Sequence, residues 1–325
     1  MFLDSLLFSL NVTLPTILML VLGIILRRQK MIDDHFCQTA SKLVFNIALP
    51  ALLFVNIVKN PVDYGSQLWL ISAGVIASLV LFFASEWIAA RYIAERKLRG
   101  IFVQGVFRGN SGLLGLALCI NAYGATAAAP ASVYAAGITF LFNVLAVITL
   151  TNSLSDNKLN IRNILRALVR NPLILSILAG ILVSQYGWQL PQAMLRTGDY
   201  LASIALPVAL ICAGASLDFK QLKRFQQQES AGQVQRVVWW ASIGRLLISP
   251  VVAILIGKSL FQLEPMSLGI LFLMSSTPTA AASYAMVRHF AGDATTAANI
   301  IAMTSLGSMF TSSIGLFILK QLAWI

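Results

Sequence analysis

The chain has 325 residues, 58% of them hydrophobic and 11% charged, with a mean hydropathy of +0.81. A soluble domain carries about 25% charged residues, so this composition excludes an ordinary soluble globule and assigns nearly the whole chain to lipid. The formal charge of +11 does not indicate nucleic-acid binding, because the basic residues are scattered over short gaps between apolar runs.

A membrane span needs about 20 predominantly apolar residues. Ten runs qualify, at roughly 6–26, 36–58, 67–90, 101–123, 129–152, 171–188, 197–217, 236–260, 266–288 and 295–319. The first has no basic segment and no small-residue cleavage site before it, and reads as a retained span rather than a signal peptide. Arg and Lys alternate between the gaps. Alternate gaps, with the span ends beside them, hold Arg27, Arg28, Lys30, Lys42, Arg91, Arg96, Lys97, Arg99, Lys158, Arg162, Arg166, Arg170, Lys220, Lys223, Arg224, Arg236 and Arg288. The other gaps and the C-terminus hold only Lys59, Arg196, Lys258 and Lys320. The positive-inside rule then predicts ten spans with both termini outside the cytoplasm. Residues 155–170 and 218–236 read as interfacial connectors on anionic headgroups. Cys37, Cys119 and Cys212 are isolated and have neither metal-ligand nor disulfide spacing. No metal and no cofactor is expected.

Span two contains Ile47-Ala48-Leu49-Pro50, and span seven repeats the tetrapeptide 157 positions later as Ile204-Ala205-Leu206-Pro207. The same offset carries Pro15 onto Pro172, Gly23 onto Gly180 and Ile24 onto Ile181. Five spans per repeat is an odd number, so the repeats are inverted in the membrane. The predicted organisation is a first repeat over 1–152, a cytoplasmic connector over 153–170 and a second, inverted repeat over 171–325. Inverted repeats are a frequent ground plan of secondary transporters, which bind substrate near the midplane between them.

Span four reads Phe107-Arg108-Gly109-Asn110-Ser111-Gly112-Leu113-Leu114-Gly115, too rich in Gly and polar groups for a continuous helix in hydrocarbon. Span nine is its counterpart, with Ser276-Thr277-Pro278, where Pro278 lacks a backbone donor and crowds the preceding turn. Matched interrupted spans point to a transport site. Half-helix N-termini favour anions, and Arg108 adds a fixed positive charge, although its place near a span end also allows snorkelling. The substrate-binding candidates are therefore Arg108, Asn110, Ser111, Gly112, Ser276, Thr277 and Pro278. The crossover or hinge candidates are Gly109, Gly115, Pro50 and Pro207. Glu86 and Arg245, at equivalent places in spans three and eight, are candidates for coupling or for an ion pair. Asn46, Asn143, Asn299, Ser283 and Thr311 read as interhelical hydrogen-bond glue. Coupling to protons, coupling to sodium and uniport all stay open.

An enzyme reading competes. Gly109-Asn110-Ser111-Gly112 and His289-Phe290-Ala291-Gly292 match signatures of rhomboid-type intramembrane serine proteases. Ser111 and His289 must then lie within about 2.6–3.2 Å of each other. His289 falls twelve residues past the span centre near Thr277, roughly 18 Å along a helix, so geometry weighs against the enzyme reading, which stays a minor alternative to the carrier.

The run Asn110-Ser111-Gly112-Leu113-Leu114-Gly115-Leu116-Ala117 resembles the Asn-x-Gly-x-x-Gly-Leu-Pro segment of the auxin efflux carrier family. Pro278-Thr279-Ala280, Ser283-Tyr284 and Arg288-His289-Phe290-Ala291-Gly292-Asp293 resemble that family's ninth helix and following loop, and Asn46–Pro50 fits as well. The resemblance implies an all-α, ten-helix carrier of the bile-acid-symporter-like fold. Helices four and nine would cross at their broken centres, and part of each repeat would move in an elevator-like shift. It further implies transport of an organic anion, a mono- or dicarboxylate such as malate or malonate, across a bacterial inner membrane. A sodium-coupled bile-acid-type symporter is the alternative, and a homodimer is expected by analogy. Ala117 replaces the family's frequent Pro and the Asn-Pro-Asn crossover of plant exporters is absent, which argues against auxin itself.

Overall fold

A computed structural model describes residues 2–59, 64–154, 172–215 and 232–325 of the chain, and these residues are helical throughout, without a strand. Seven helices are long and apolar enough to cross a membrane. They are α1 (Phe2–Arg28), α2 (Asp34–Leu43) running into α3 (Leu49–Lys59), α4 (Tyr64–Tyr92), α7 (Ala125–Leu154), α9 (Gln192–Ala215), α10 (Gly232–Ile243) running into α11 (Ser249–Leu255), and α14 (Ala294–Gln321). The remaining helices are shorter: α5 (Arg96–Phe107), α6 (Leu116–Tyr123), α8 (Pro172–Gln185), α12 (Pro265–Ser275) and α13 (Ala282–His289). The predicted runs 101–123 and 266–288 are thus each split in two. The connector expected over 153–170 lies almost wholly outside the described residues.

Several prolines lie within spans without breaking them. A helical Pro lacks a donor and crowds the carbonyl four residues earlier. At Pro50 and Pro250 the helix absorbs this through π turns just upstream, Val44–Ala48 and Gly244–Ile248, which shift the hydrogen-bond register by one residue. Pro207, like Pro15 and Pro130, lies inside a continuous helix. At neither Pro50 nor Pro207, two of the four crossover or hinge candidates, does the helix break.

The outer faces of α1 and α4 are apolar, with Leu3, Leu7, Leu14, Leu18, Phe83 and Trp87 exposed. Hydrophobic surface all round is what lipid demands of a span. The chain is a multi-pass membrane protein.

Packing divides the helices by partner. α1 lies against α9, α3 against α8 and α9, and α4 against α5 and α7, while α10 and α14 pack on each other and α14 also on α1. Small residues bring the α1 and α9 backbones together. A Cβ at Gly23 would collide with the Ile211 carbonyl, and one at Gly214 with the Leu20 carbonyl. The contact recurs between the other two helices of this group, where a Cβ at Gly180 of α8 would lie 3.3 Å from the Phe54 carbonyl oxygen of α3. Gly23 and Gly180 are 157 positions apart, and so are Phe54 and Ile211.

Candidate functional site: two helix breaks that meet

The two split spans touch at their breaks. α5 ends at Phe107, and Arg108 and Asn110 have non-helical ψ angles of 87° and 54° before the chain turns back into helix at Ser111. α12 ends at Ser275, Pro278 cannot continue it, and α13 begins at Ala282. The extended stretches pair antiparallel at Gly109 and Thr279. The Asn110 N–H donates to the Pro278 carbonyl (2.8 Å) and the Ala280 N–H to the Arg108 carbonyl (3.0 Å). Thr279 completes the joint: its N–H donates to Thr304 Oγ1 at 3.1 Å and its hydroxyl to the Gly105 carbonyl at 2.8 Å. Backbone freed in a membrane interior must be satisfied by protein or water, and here each break satisfies part of the other.

Gly109 is needed because the chains approach closely: a Cβ there would lie 2.8 Å from Thr277 Oγ1 and 2.9 Å from Arg245 Nη2. Gly115 has a similar role. Its Cβ would lie 2.5 Å from Met274 Sδ, and the helix runs on through it. At Gly112 a Cβ would meet nothing within 4 Å. That position faces open space.

Among the described residues, two arginines sit inside the protein. Arg245, 1% exposed, lies in the π turn between α10 and α11. Its Nε donates to the Thr277 carbonyl (2.9 Å), Nη1 to the carbonyls of Phe107 (2.9 Å) and Val106 (3.3 Å), and Nη2 to that of Ser275. Those acceptors cluster at the C-terminal ends of the two half-helices, where helix carbonyls lose their intrahelical partners; Phe107 also accepts from the Gly109 N–H and Ser275 from the Ser249 hydroxyl. Among the described residues neither Glu86 nor Arg245 forms an ion pair: Glu86 Oε1 is buried without a hydrogen-bond partner, and Arg245 bonds backbone carbonyls. Arg108, 5% exposed, donates to Asn143 Oδ1 (2.7 Å), to Gln104 Oε1 (3.2 Å) and to the Met286 sulfur. It does not snorkel, and no carboxylate stands against it among the described residues.

The other candidates fall into two groups. The hydroxyls of Ser111, Ser276 and Thr277 are buried and donate to the carbonyls of Met274 (3.4 Å), Leu273 (3.1 Å) and Met274 (2.8 Å). Asn110 and Gly112 are half-buried. The N–H groups of Ser111, Gly112 and Leu113, which open one half-helix, make no bond among the described residues, nor do those of Ala281 and Ala282, which open the other. Ser283 Oγ, in the first turn of α13, is also buried and unpartnered. His289 ends α13, and its side chain lies outside the described residues. Two small clefts adjoin the breaks. One, of about 20 Å³, is lined mainly by apolar side chains, Leu20, Leu114, Leu118 and Met309 among them, with Thr13 and Thr16 beside Pro278. The other, also of about 20 Å³, lies by Ser111, Tyr134, Arg245 and Ser249.

Sequence reasoning missed Gln104, Thr279, Thr304 and Ser312. Gln104 was readable as the residue one helical turn before Arg108. The other three bond backbone exposed by a distant break, and no local pattern announces that.

The model of the family described as "Membrane transport protein" matches residues 8–156 and 157–316. A protein of Rhizobium meliloti named "Putative malonate transporter" is 26% identical over 287 residues, covering 85% of this chain and 84% of its own. An "Uncharacterized transporter" of Methanothermobacter thermautotrophicus is 26% identical over 251 residues, covering 75% and 77%. Another, from Methanocaldococcus jannaschii, is 23% identical over 281 residues, covering 83% and 85%.

Proposed function

Because the chain belongs to the membrane transport protein family, the auxin efflux carrier family that its motifs resemble, we propose that it carries a small organic anion by alternating access. A transporter, not an intramembrane protease, is what the family and its relatives support. The carboxylate class of substrate is supported by the charge arrangement at the breaks and by the malonate named for the Rhizobium relative.

The observation that carries this reading is the asymmetry of charge around the joined breaks. Each half-helix C-terminus carries about −0.5 charge and each N-terminus about +0.5. Arg245 lies on both C-terminal ends and cancels them. Both N-terminal ends stay open, at Ser111–Leu113 and Ala281–Ala282, and the charge of Arg108 nearby is held only by neutral groups. What remains is about one unit of positive dipole charge plus one guanidinium, with free amides to receive carboxylate oxygens. Asn110 and Gly112 border that space, and the hydroxyls of Ser111, Ser276 and Thr277 fix the backbone that forms it.

The ten-span, inverted-repeat organisation is proposed with it. The seven long helices, the two split spans and short α8 together make ten crossings, with repeats over 1–152 and 171–325. The recurrence of the Gly23–Ile211 contact as Gly180–Phe54, with the two halves exchanged, is what a two-fold relation produces. The charge bias of the gaps favours both termini outside the cytoplasm of a bacterial inner membrane. In an elevator-like cycle the joined breaks would shift against the group containing α1, α3, α8 and α9.

The test is uptake of labelled malonate, malate and acetate into liposomes holding the purified protein, with sodium, pH and voltage gradients imposed one at a time. Saturable carboxylate uptake is expected. Uptake of neutral solutes alone would reject the anion reading.

A further inference from the structure

Arg245 is one of the largest fully buried side chains, and its bonds join three segments distant in sequence: its own π turn, the end of α5 and the end of α12. The geometry around it is built for contact. Gly109 leaves the space that Nη2 occupies, since a Cβ there would lie 2.9 Å away. Gly244, beside Arg245, lets the turn approach α5 so closely that a Cβ would lie 3.0 Å from Val106 Cγ2. Five residues on from Gly244, the Ser249 hydroxyl donates to the Ser275 carbonyl at 3.3 Å, so this span holds the α12 end twice.

We infer that Arg245 is a positioning residue, a clasp that holds both breaks to the α10–α11 span and fixes the open amides that receive substrate. The inference rests on the anion-site reading proposed above. Four carbonyls converge on one side chain from two directions, and only a planar guanidinium with five N–H groups in a fixed fork reaches them together. A lysine ammonium is a single point of charge and serves one end at a time. The clasp has two consequences. The two breaks cannot separate while Arg245 is in place, so the paired half-helices and the α10–α11 span move as one body. Its charge also cancels the C-terminal dipole ends, which leaves the N-terminal ends to set the sign of the bound solute. Arg245 thereby selects for anions without touching one.

The test is hydrogen–deuterium exchange at the Asn110 and Ala280 amides, which are bonded across the joint, in the full chain in lipid nanodiscs, alongside binding of labelled malonate. In Arg245→Met both amides should exchange at least about tenfold faster, the size expected from losing hydrogen bonds to a charged group. Arg245→Lys should give a smaller acceleration at both, and it decides the matter if the Met variant does not fold. Arg108→Ala should weaken malonate binding and leave both amides at the wild-type rate. Wild-type exchange in Arg245→Lys, or acceleration at one amide alone, would overturn the clasp. If the wild type binds no carboxylate while the exchange contrast holds, the clasp stands and the anion reading fails.

Discussion

Adding a methyl group at Gly109 should damage the protein, whereas the same methyl at Gly112, three residues on, should not. At Gly109 the new Cβ would lie 2.8 Å from Thr277 Oγ1 and 2.9 Å from Arg245 Nη2. Neither neighbour can retreat cheaply. Thr277 Oγ1 donates to the Met274 carbonyl at 2.8 Å, and Arg245 Nη2 donates to that of Ser275. Relief means either overpacking strain of about 1–3 kcal/mol or loss of a charged hydrogen bond of about 1.5–3 kcal/mol. Gly109→Ala should therefore cost about 2 kcal/mol. At Gly112 the Cβ meets nothing within 4 Å, and in the first turn of a helix Ala is better than Gly by up to about 1 kcal/mol. Gly112→Ala should be neutral or slightly stabilising, while narrowing the space beside the open amides. Thermal unfolding of the purified variants in one detergent, followed by tryptophan fluorescence, reads the difference as a fall in Tm of at least about 2 °C for Gly109→Ala only. Equal melting of both variants and the wild type would refute the close joint on which the site depends.

Further expectations follow from other contacts. Arg108→Ala, at a side chain held only by Asn143, Gln104 and Met286, should raise the KM for carboxylate uptake at least about tenfold, the weight of one nearby charge of about 1.4 kcal/mol; an unchanged KM would remove Arg108 from substrate attraction. Gly214→Leu should push α1 off α9, because even a Cβ collides with the Leu20 carbonyl, and folded yield measured by size-exclusion chromatography should collapse; normal yield would contradict that packing. Lys59→Met breaks the 2.6 Å pair with Asp199, but both side chains are 43% exposed. Such pairs are worth about 0–1 kcal/mol, so uptake rates should stay within about twofold of wild type. His289→Ala should transport normally, and loss of transport would reopen the Ser111–His289 reading.

The parts of the account that rest on chain chemistry were legible in the sequence. Pro278 and the Gly109-Asn110-Ser111-Gly112 cluster announced breaks, because both remove or weaken helical bonding wherever they fall. Pro50 and Pro207 carry the same local chemistry without a break. One is absorbed by a π turn and the other lies in continuous helix, a choice set by neighbouring packing rather than by the residue. The role of Arg245 was hidden. Its place inside a span made it a candidate for coupling or an ion pair, yet its acceptors are backbone carbonyls 30 or more positions away whose freedom follows from the breaks. Likewise Thr279 and Thr304 became visible only once two extended stretches lay side by side. Side-chain chemistry marks where a helix fails. The repair is tertiary.

The central claim is that a carboxylate sits against the amides opened at Ser111–Leu113. With Cys37, Cys119 and Cys212 replaced by Ala, Gly112→Cys places a single thiol at that opening. Its rate of modification by a small charged methanethiosulfonate reagent should fall several-fold as malonate is added, with half-protection at the concentration that half-saturates uptake. A rate unmoved by malonate, in protein that still transports it, would place the substrate elsewhere.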